Sequence, residues 1–171
     1  MKLRAPEGLA VRPTADRVKE ALFNILGSRT IGSRFIDLYA GSGAIGIEAL
    51  SRGAESCIFV DNRPANKLLI DENLSKTGLE SAARVILSDV DKALITLRDE
   101  ETRADIIYLD PPYNYSGLDV VAGRLFEYNL IADSGVVVAE HAYSNREWLD
   151  RFKETRIKKY GDTALSFIYM P

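Results

Sequence analysis

The sequence predicts an α/β protein with a mostly parallel, doubly wound sheet, helices on both faces and an antiparallel hairpin at the C-terminal edge. Short runs of β-branched and aromatic residues alternate with segments of helical periodicity along most of the chain, which is typical of right-handed βαβ units. The last two apolar runs are joined only by Gly161-Asp162. This leaves no room for a crossover helix, so these two strands are expected to be antiparallel.

The composition is that of one ordinary globular domain spanning residues 1–171. The chain has 46% hydrophobic and 27% charged residues, and its length suits a single domain. One cysteine and one histidine exclude an internal disulfide framework and a zinc site rich in these residues. The net charge of −3 argues against a strong non-specific nucleic-acid binder. Because no stretch approaches the ~18 apolar residues of a membrane span and the N-terminus has no signal core, we expect a cytoplasmic protein.

The expected elements begin with an extended arm over residues 1–13 and an N-terminal helical unit over 14–28. Thr14 is placed to cap a helix over 15–26, and Asp16 complements the dipole of its first turn. Strands are then expected at 34–39, 57–60, 84–87, 105–109, 135–139, 155–160 and 164–169. Helical patterns lie at 45–52, 64–77, 91–97, 118–128 and 146–151, and glycines follow the first two of these.

A glycine-rich segment follows the first strand and opens a helix. Gly41, Gly43 and Gly46 form a G-x-G-x-x-G pattern, in which the glycines permit a tight turn and close approach of the backbone to a ligand. The free N–H groups at the start of the helix suit an anionic group. The pattern alone fits two cofactors, because a dinucleotide would place its pyrophosphate there and S-adenosylmethionine its methionine carboxylate.

Three aspartates lie in or at the end of the first three strands. Asp61 ends the second strand, where an acid can accept hydrogen bonds from both ribose hydroxyls of either cofactor. Asp89 follows the third strand and is either a contact to the adenine edge or a helix N-cap. Asp37 lies inside the first strand, where a carboxylate should be paired or face a cationic ligand. The α-amino group of S-adenosylmethionine is such a cation, which favours this cofactor.

The segment Asp110-Pro111-Pro112-Tyr113 follows the fourth strand, at the edge where open α/β sheets bind ligands. Consecutive prolines fix the backbone and offer no N–H, so this corner presents only acceptors beside the Asp110 carboxylate. Such a corner suits the two N–H bonds of an exocyclic amine on a nucleobase, and Tyr113 offers a face for stacking. Acceptors on that amine would orient its lone pair and stabilise the charge that develops in methyl transfer. The base would have to be unpaired or flipped.

These residues resemble the class I S-adenosylmethionine-dependent methyltransferases, whose sheet is Rossmann-like, and more narrowly the bacterial 16S rRNA guanine-N2 methyltransferase family of the RsmD type. The resemblance covers nearly the whole chain. Its most specific part is the run Arg-Pro-Thr-Ala-Asp-Arg-Val-Lys-Glu-Ala-Leu-Phe-Asn at 12–24, joined by the segments 37–54, 110–113 and 159–163. Members of this family usually begin with a basic β-hairpin, and this chain starts near the point where that hairpin would end.

The resemblance implies a role for each matching residue. The residues expected to bind S-adenosylmethionine are Asp37, Gly41, Ser42, Gly43, Asp61, Asn62, Ser88 and Asp89. The catalytic residues that would hold the target base are Asp110, Pro111, Pro112 and Tyr113, with no metal. Thr14 and Arg17, at the start of the first helix, are expected to contact the substrate together with Tyr113.

The implied reaction is methyl transfer from S-adenosylmethionine to the N2 amine of a guanine in 16S rRNA, and S-adenosylhomocysteine is the product. The implied partner is 16S rRNA or an assembling small ribosomal subunit, with no membrane, and a monomer is favoured. Two alternatives stay open. The chain could methylate another exocyclic or amide nitrogen, as in DNA adenine or a protein, or it could be a nicotinamide-dependent oxidoreductase. His141 and Cys57 are expected to be structural.

Overall fold

A twisted seven-stranded sheet organises the molecule. The computed structural model describes residues 2–5, 13–113 and 115–170. In this part of the chain the strands are β1 (Arg34–Leu38), β2 (Ser56–Asp61), β3 (Ala83–Leu87), β4 (Ala104–Leu109), β5 (Ile131–Ala142), β6 (Thr155–Tyr160) and β7 (Thr163–Tyr169). Their order in the sheet is β3-β2-β1-β4-β5-β7-β6. The first five are parallel, and β7 pairs antiparallel with both β5 and β6, which confirms the expected edge hairpin.

Helices cover both faces of the sheet. They are α1 (Pro13–Leu26), α2 (Ala44–Ser51), α3 (Pro64–Thr77), α4 (Val90–Asp99) and α5 (Leu118–Glu127), and short 3-10 helices lie at Gly27–Thr30, Glu80–Ala82 and Glu147–Arg151. The buried side chains of α1, α2 and α3 pack with one face of the sheet, and those of α4 and α5 with the other. Among the described residues, no helix has the length and apolarity to cross a membrane.

Three predicted boundaries are corrected. Helix α1 begins at Pro13 and not at 15, because the fixed φ of proline suits the first helical turn; Thr14 therefore lies inside the helix and is not its N-cap. Its side chain, and residues 6–12 of the expected arm, lie outside the described part of the chain. Residues 147–151 form a 3-10 helix and not an α-helix.

Strand β5 is the third correction, because it begins at Ile131 and ends at Ala142, well beyond the predicted 135–139. The turn-like residues Ser134 and Gly135 obscured its length in the sequence. Ser134 has a φ of 61°, and the register of the pairing shifts opposite, between Ala104 and Ile106 of β4. An irregularity of this kind bends a strand without ending it.

Candidate active site

An open cleft lies at the carboxyl ends of the parallel strands, with a volume of about 580 Å³. This is the position at which doubly wound sheets bind ligands, because their loops converge there. Residues from the ends of β1, β2, β3 and β4 line it: Tyr39, Gly41, Asp61, Asn62, Arg63, Asn66, Ser88, Asp89, Val90, Asp91, Asp110, Pro111, Pro112 and Tyr115. The structure thus brings together eight predicted residues of the cofactor and catalytic sets, namely Gly41, Asp61, Asn62, Ser88, Asp89, Asp110, Pro111 and Pro112.

The glycine loop between β1 and α2 needs glycine at two positions for different reasons. Gly43 precedes α2 with a φ of 79°, a left-handed conformation that other residues adopt at a cost. Gly46 lies in the first turn of α2, and a Cβ there would come within 2.3 Å of the Phe59 ring and 2.6 Å of Cys57 Sγ on β2. Glycine at position 46 therefore allows α2 to pack this closely on β2.

Asp61, at the end of β2, fixes the loop and still lines the cleft. Its Oδ2 accepts a hydrogen bond from the Gly41 N–H at 2.9 Å. Its Oδ1 accepts from the Arg63 N–H at 2.9 Å and from Asn66 Nδ2 at 3.0 Å. Three donors thus orient one carboxylate before any ligand binds. Each carboxylate oxygen can accept more than one hydrogen bond, so Asp61 retains capacity for a hydroxyl in the cleft.

Asp89, after β3, serves as a helix cap and also lines the cleft. Its Oδ1 accepts from the Lys92 N–H at 2.9 Å, which makes it the N-cap of α4. Its side chain is 48% exposed, and its Oδ2 lies 3.6 Å from Lys92 Nζ. Asp89 also lines the cleft beside Ser88 and Val90. The two interpretations of Asp89 from the sequence are therefore compatible.

Asp37 lies beneath the glycine loop and does not line the cleft. It is only 1% exposed, and its Oδ2 accepts a hydrogen bond from the Gly46 N–H at 3.1 Å. Burial raises the pKa of this carboxyl to about 7, against the lowering effect of that hydrogen bond. Ser42 and Gly43 are likewise part of the loop but not of the cleft lining.

The Asp110-Pro111-Pro112 segment separates this cleft from a second, smaller recess of about 60 Å³. Asp110, Pro111 and Pro112 line both sides. Asp110 is crowded by protein yet open to solvent at the cleft. Crowding, together with the negative charges of Glu140 and Asp37, raises its pKa well above the ordinary carboxyl value.

The predicted substrate residues are not gathered at one place. Tyr113 lines the recess and is 78% exposed, so its ring is available for stacking. Arg17 is exposed on α1 and lines neither cavity. His141 lines the recess, but its ring is held by the Ala142 carbonyl and the Ser166 hydroxyl.

The sequence also matches a known family over almost its full length. The family model described as "Conserved hypothetical protein 95" matches residues 1–169. The chain belongs to this family. The candidate rRNA methyltransferase YlbH of Bacillus subtilis is 42% identical over 166 residues, which are 96% of this chain and 90% of that protein. The Ribosomal RNA small subunit methyltransferase D of Escherichia coli is 33% identical over 144 residues, which are 84% of this chain and 71% of that protein.

Solved structures agree with this membership. A Thermus thermophilus 16S rRNA N2 methyltransferase, in complex with AdoMet and guanosine, matches the fold with a TM-score of 0.76 at 26% identity. The match covers 96% of this chain and 45% of that one. The Rossmann-like methyltransferase sheet and the resemblance to the RsmD-type family, both expected from the sequence, are confirmed.

In this member of the family, several residues of the cleft and of the support beneath the glycine loop had no clear signal in the sequence. Tyr39 and Tyr115 line the cleft with ring centroids 5.9 Å apart. Asn73, fully buried, accepts from the Arg4 N–H and donates to the Ser42 carbonyl, which ties the N-terminal segment to the glycine loop. Tyr39 has a φ of 62°. Its place directly before the glycine loop is a sequence signal that could have identified it as a cleft residue.

A pair of cations flanks the recess. Arg146 and Lys159 both lie over the Tyr143 ring, with Cζ and Nζ at 4.4 and 4.6 Å from its centroid. Tyr143 follows β5, close in sequence to Ala142 and Asn145, which line the recess. Among the described residues neither cation forms a salt bridge. Positive charge is therefore available beside a recess that is itself acidic.

Proposed function

We propose that this protein transfers a methyl group from S-adenosylmethionine to the exocyclic N2 amine of a guanine in 16S rRNA. The observation that carries the proposal is the position of Asp110-Pro111-Pro112, which lines both a large cleft and a small recess. A cofactor on one side and a base edge on the other would meet at this corner. The names of the relatives and the family membership support the same reaction.

The charge of the cleft fits a cationic cofactor. Among the described residues, four acids line it, Asp61, Asp89, Asp91 and Asp110, against a single basic residue, Arg63. S-adenosylmethionine carries a net positive charge, whereas a nicotinamide dinucleotide carries a negatively charged pyrophosphate that this acidic cleft would repel. The electrostatics therefore favour the sulfonium cofactor over the oxidoreductase alternative.

Individual residues fit the parts of that cofactor. Asp61 is oriented by three donors to accept ribose hydroxyl groups. Ser88, Asp89 and Val90 offer an acceptor and an apolar wall for adenine. When bound, S-adenosylmethionine supplies a methyl group on a positively charged sulfur, which an amine nitrogen can attack.

The corner itself would activate the amine. Asp110 and the Pro111 carbonyl can accept hydrogen bonds from the two N–H groups of the nitrogen and orient its lone pair toward the cleft. The Pro112 carbonyl already accepts a hydrogen bond from the Tyr115 N–H at 2.9 Å. As the nitrogen bonds to the methyl carbon, the bond from that carbon to sulfur would break, S-adenosylhomocysteine would be the leaving group, and the nitrogen would carry a surplus proton. Asp110 is placed to take that proton, because neighbouring negative charge and crowding raise its pKa. Holding the two reactants in line supplies the remaining acceleration.

The partner we propose is 16S rRNA or an assembling small ribosomal subunit, and such a substrate implies a cytoplasmic enzyme. The exposed ring of Tyr113 can stack on an unpaired base, which is worth ~1–3 kcal/mol per base. Arg146 and Lys159 can bind phosphate groups beside the recess. These contacts let a chain with a net charge of −3 bind RNA through one local surface.

The test is methylation of small-subunit particles and of free 16S rRNA, both from cells that lack this protein, using labelled S-adenosylmethionine. We expect label on the N2 atom of a guanine, located by nuclease digestion and mass spectrometry. Thermal unfolding in parallel should show stabilisation by S-adenosylhomocysteine and not by NADH. Label on an adenine or on protein, or stabilisation by NADH alone, would refute the proposal in favour of one of the alternatives.

A further inference from the structure

Glu140, on β5, is a half-buried carboxylate that the proposed reaction does not use. It lines the small recess together with Asp110. Its Oε2 accepts a hydrogen bond from the Tyr108 hydroxyl on β4. Among the described residues Oε1 has no protein donor, and no salt bridge involves Glu140.

The fold holds this carboxylate in an unfavourable environment. Burial raises the pKa of Glu140, although the Tyr108 hydrogen bond acts in the opposite direction. His141, the next residue along β5, has both ring nitrogens engaged by Ala142 and Ser166, so it does not neutralise Glu140. A buried carboxylate without a cation is costly unless hydrogen-bond donors reach it. The recess therefore favours a ligand that presents N–H groups.

The arrangement of acceptors distinguishes the two purines that carry an exocyclic amine. The Watson–Crick edge of guanine presents the N2 amine with the N1–H donor beside it. The corresponding edge of adenine presents the N6 amine with the N1 lone pair beside it. If Asp110 holds the amine, the next atom along the base edge would face the carboxylate of Glu140. In guanine this atom is the N1–H donor, which a carboxylate accepts. In adenine it is the N1 lone pair, which a carboxylate repels.

The small volume of the recess agrees with binding of only the polar edge of a base. A volume of about 60 Å³ admits the polar edge of a base and not the whole ring system. The rings would remain outside, against the exposed Tyr113 and against Tyr115, which both line the recess. Bases taken out of a stack are read in this way, by hydrogen bonds to the edge and by stacking on the faces.

We propose that Glu140 accepts the guanine N1–H and so determines specificity for guanine, and that Tyr108 is a positioning residue for Glu140. This inference rests on the proposed function and adds the group that reads the base. A purine without the N1–H donor would bring its N1 lone pair against the Glu140 carboxylate. Sites built around such a donor strongly discriminate against analogues that lack it, because a buried polar group of the site is then left unpaired.

The experiment replaces the target guanine in the RNA. Once the methylated nucleotide has been mapped, small-subunit particles are reconstituted with 16S rRNA ligated from a synthetic fragment that carries guanine or 2-aminopurine there. 2-Aminopurine keeps the C2 amine but has a lone pair at N1. We expect the wild-type protein to methylate guanine at least ~100-fold faster, as kcat/KM, than 2-aminopurine.

Two substitutions then assign this preference to Glu140. In Glu140→Gln the amide can donate to the N1 lone pair, so we expect the guanine preference to fall at least ~10-fold, with unchanged S-adenosylhomocysteine affinity. Tyr108→Phe should lower kcat/KM on guanine by less than Glu140→Gln does. Glu127→Gln, an exposed acid on α5, is the matched control and should leave both rates unchanged.

The outcomes separate this inference from the proposed function. If the wild-type protein methylates no guanine in the particles, the proposed function fails and the inference fails with it. If it methylates guanine and 2-aminopurine equally, only the role of Glu140 is refuted, and this comparison needs no variant to fold. An unchanged preference in a folded Glu140→Gln protein also refutes that role alone.

Discussion

The cleft and the recess, on either side of the Asp110 corner, hold their carboxylates in opposite ways. In the large cleft, Asp61 and Asp89 keep part of their surface exposed and accept hydrogen bonds from backbone N–H groups, Asp61 from Gly41 and Arg63 and Asp89 from Lys92. In the recess, Asp110 and Glu140 lie close enough for the charge of Glu140 to raise the pKa of Asp110. Under the proposed function, the cofactor side would be formed before the cofactor binds, and the substrate side would need hydrogen-bond donors from the base.

The largest effect is expected at the residue that both sides share. Asp110→Ala removes the carboxylate that accepts the amine, and loss of such a transition-state contact costs ~10²–10³-fold in rate. We expect methyl transfer to particles to fall by this factor, while S-adenosylhomocysteine affinity, measured by calorimetry, stays within twofold. The exposed Asp133, whose side chain is 98% accessible, provides the control Asp133→Ala. Retained methylation by Asp110→Ala would mean that backbone carbonyl groups alone are enough to orient the amine.

The second prediction concerns pH and tests whether buried carboxylates strain the fold. The pKa of Asp37 is about 7 in the native protein, against an ordinary 3.8. Between these values the native state holds a proton that the unfolded state has lost, so stability falls as pH rises through this window. Asp37→Asn should abolish this part of the decrease in stability with pH. Its free energy of unfolding at pH 8 should exceed that of the wild type by up to ~4 kcal/mol.

Urea unfolding of Asp37→Asn and of the wild type at pH 5 and pH 8 measures this effect. Asp110 and Glu140 also have raised pKa values, so a part of the decline with pH should persist in the variant. Equal pH dependence in the two proteins would show that Asp37 is not the group responsible.

The smallest expected effect is on the cofactor side alone. Asp61→Ala removes a ribose acceptor and releases the Gly41 N–H, and a hydrogen bond to a charged group is worth ~1.5–3 kcal/mol. We expect S-adenosylhomocysteine to bind ~10–100-fold more weakly, with little change in the KM for particles at saturating cofactor. An unaltered dissociation constant would remove Asp61 from the cofactor site.

The residues of the large cleft were largely predictable from the sequence, and so was the Asp110–Tyr113 side of the recess. The side of the recess that β5 forms was not. Gly41, Asp61 and Asp89 lie at fixed positions relative to their strands, so local pattern and parallel topology together place them at one edge. Glu140 gave no such signal, because β5 extends past the predicted end at 139 to Ala142. Its partner Tyr108 reads as an ordinary buried strand aromatic. Their contact depends on the pairing of β4 with β5, which no short segment of sequence specifies.

The position of β7 determines when the protein becomes competent during its own synthesis. β7 is the last of the described strands along the chain, yet it lies between β5 and β6 and pairs with β5 from Val136 to Ala142. Ser166 of this strand holds the His141 ring, and Thr163 lines the recess. A nascent chain with β7 still in the exit tunnel has all the strand ends of the cofactor cleft but lacks this wall. The proposed base recess would therefore be completed only once β7 has paired with β5, after the cleft on the other side of Asp110 can already form.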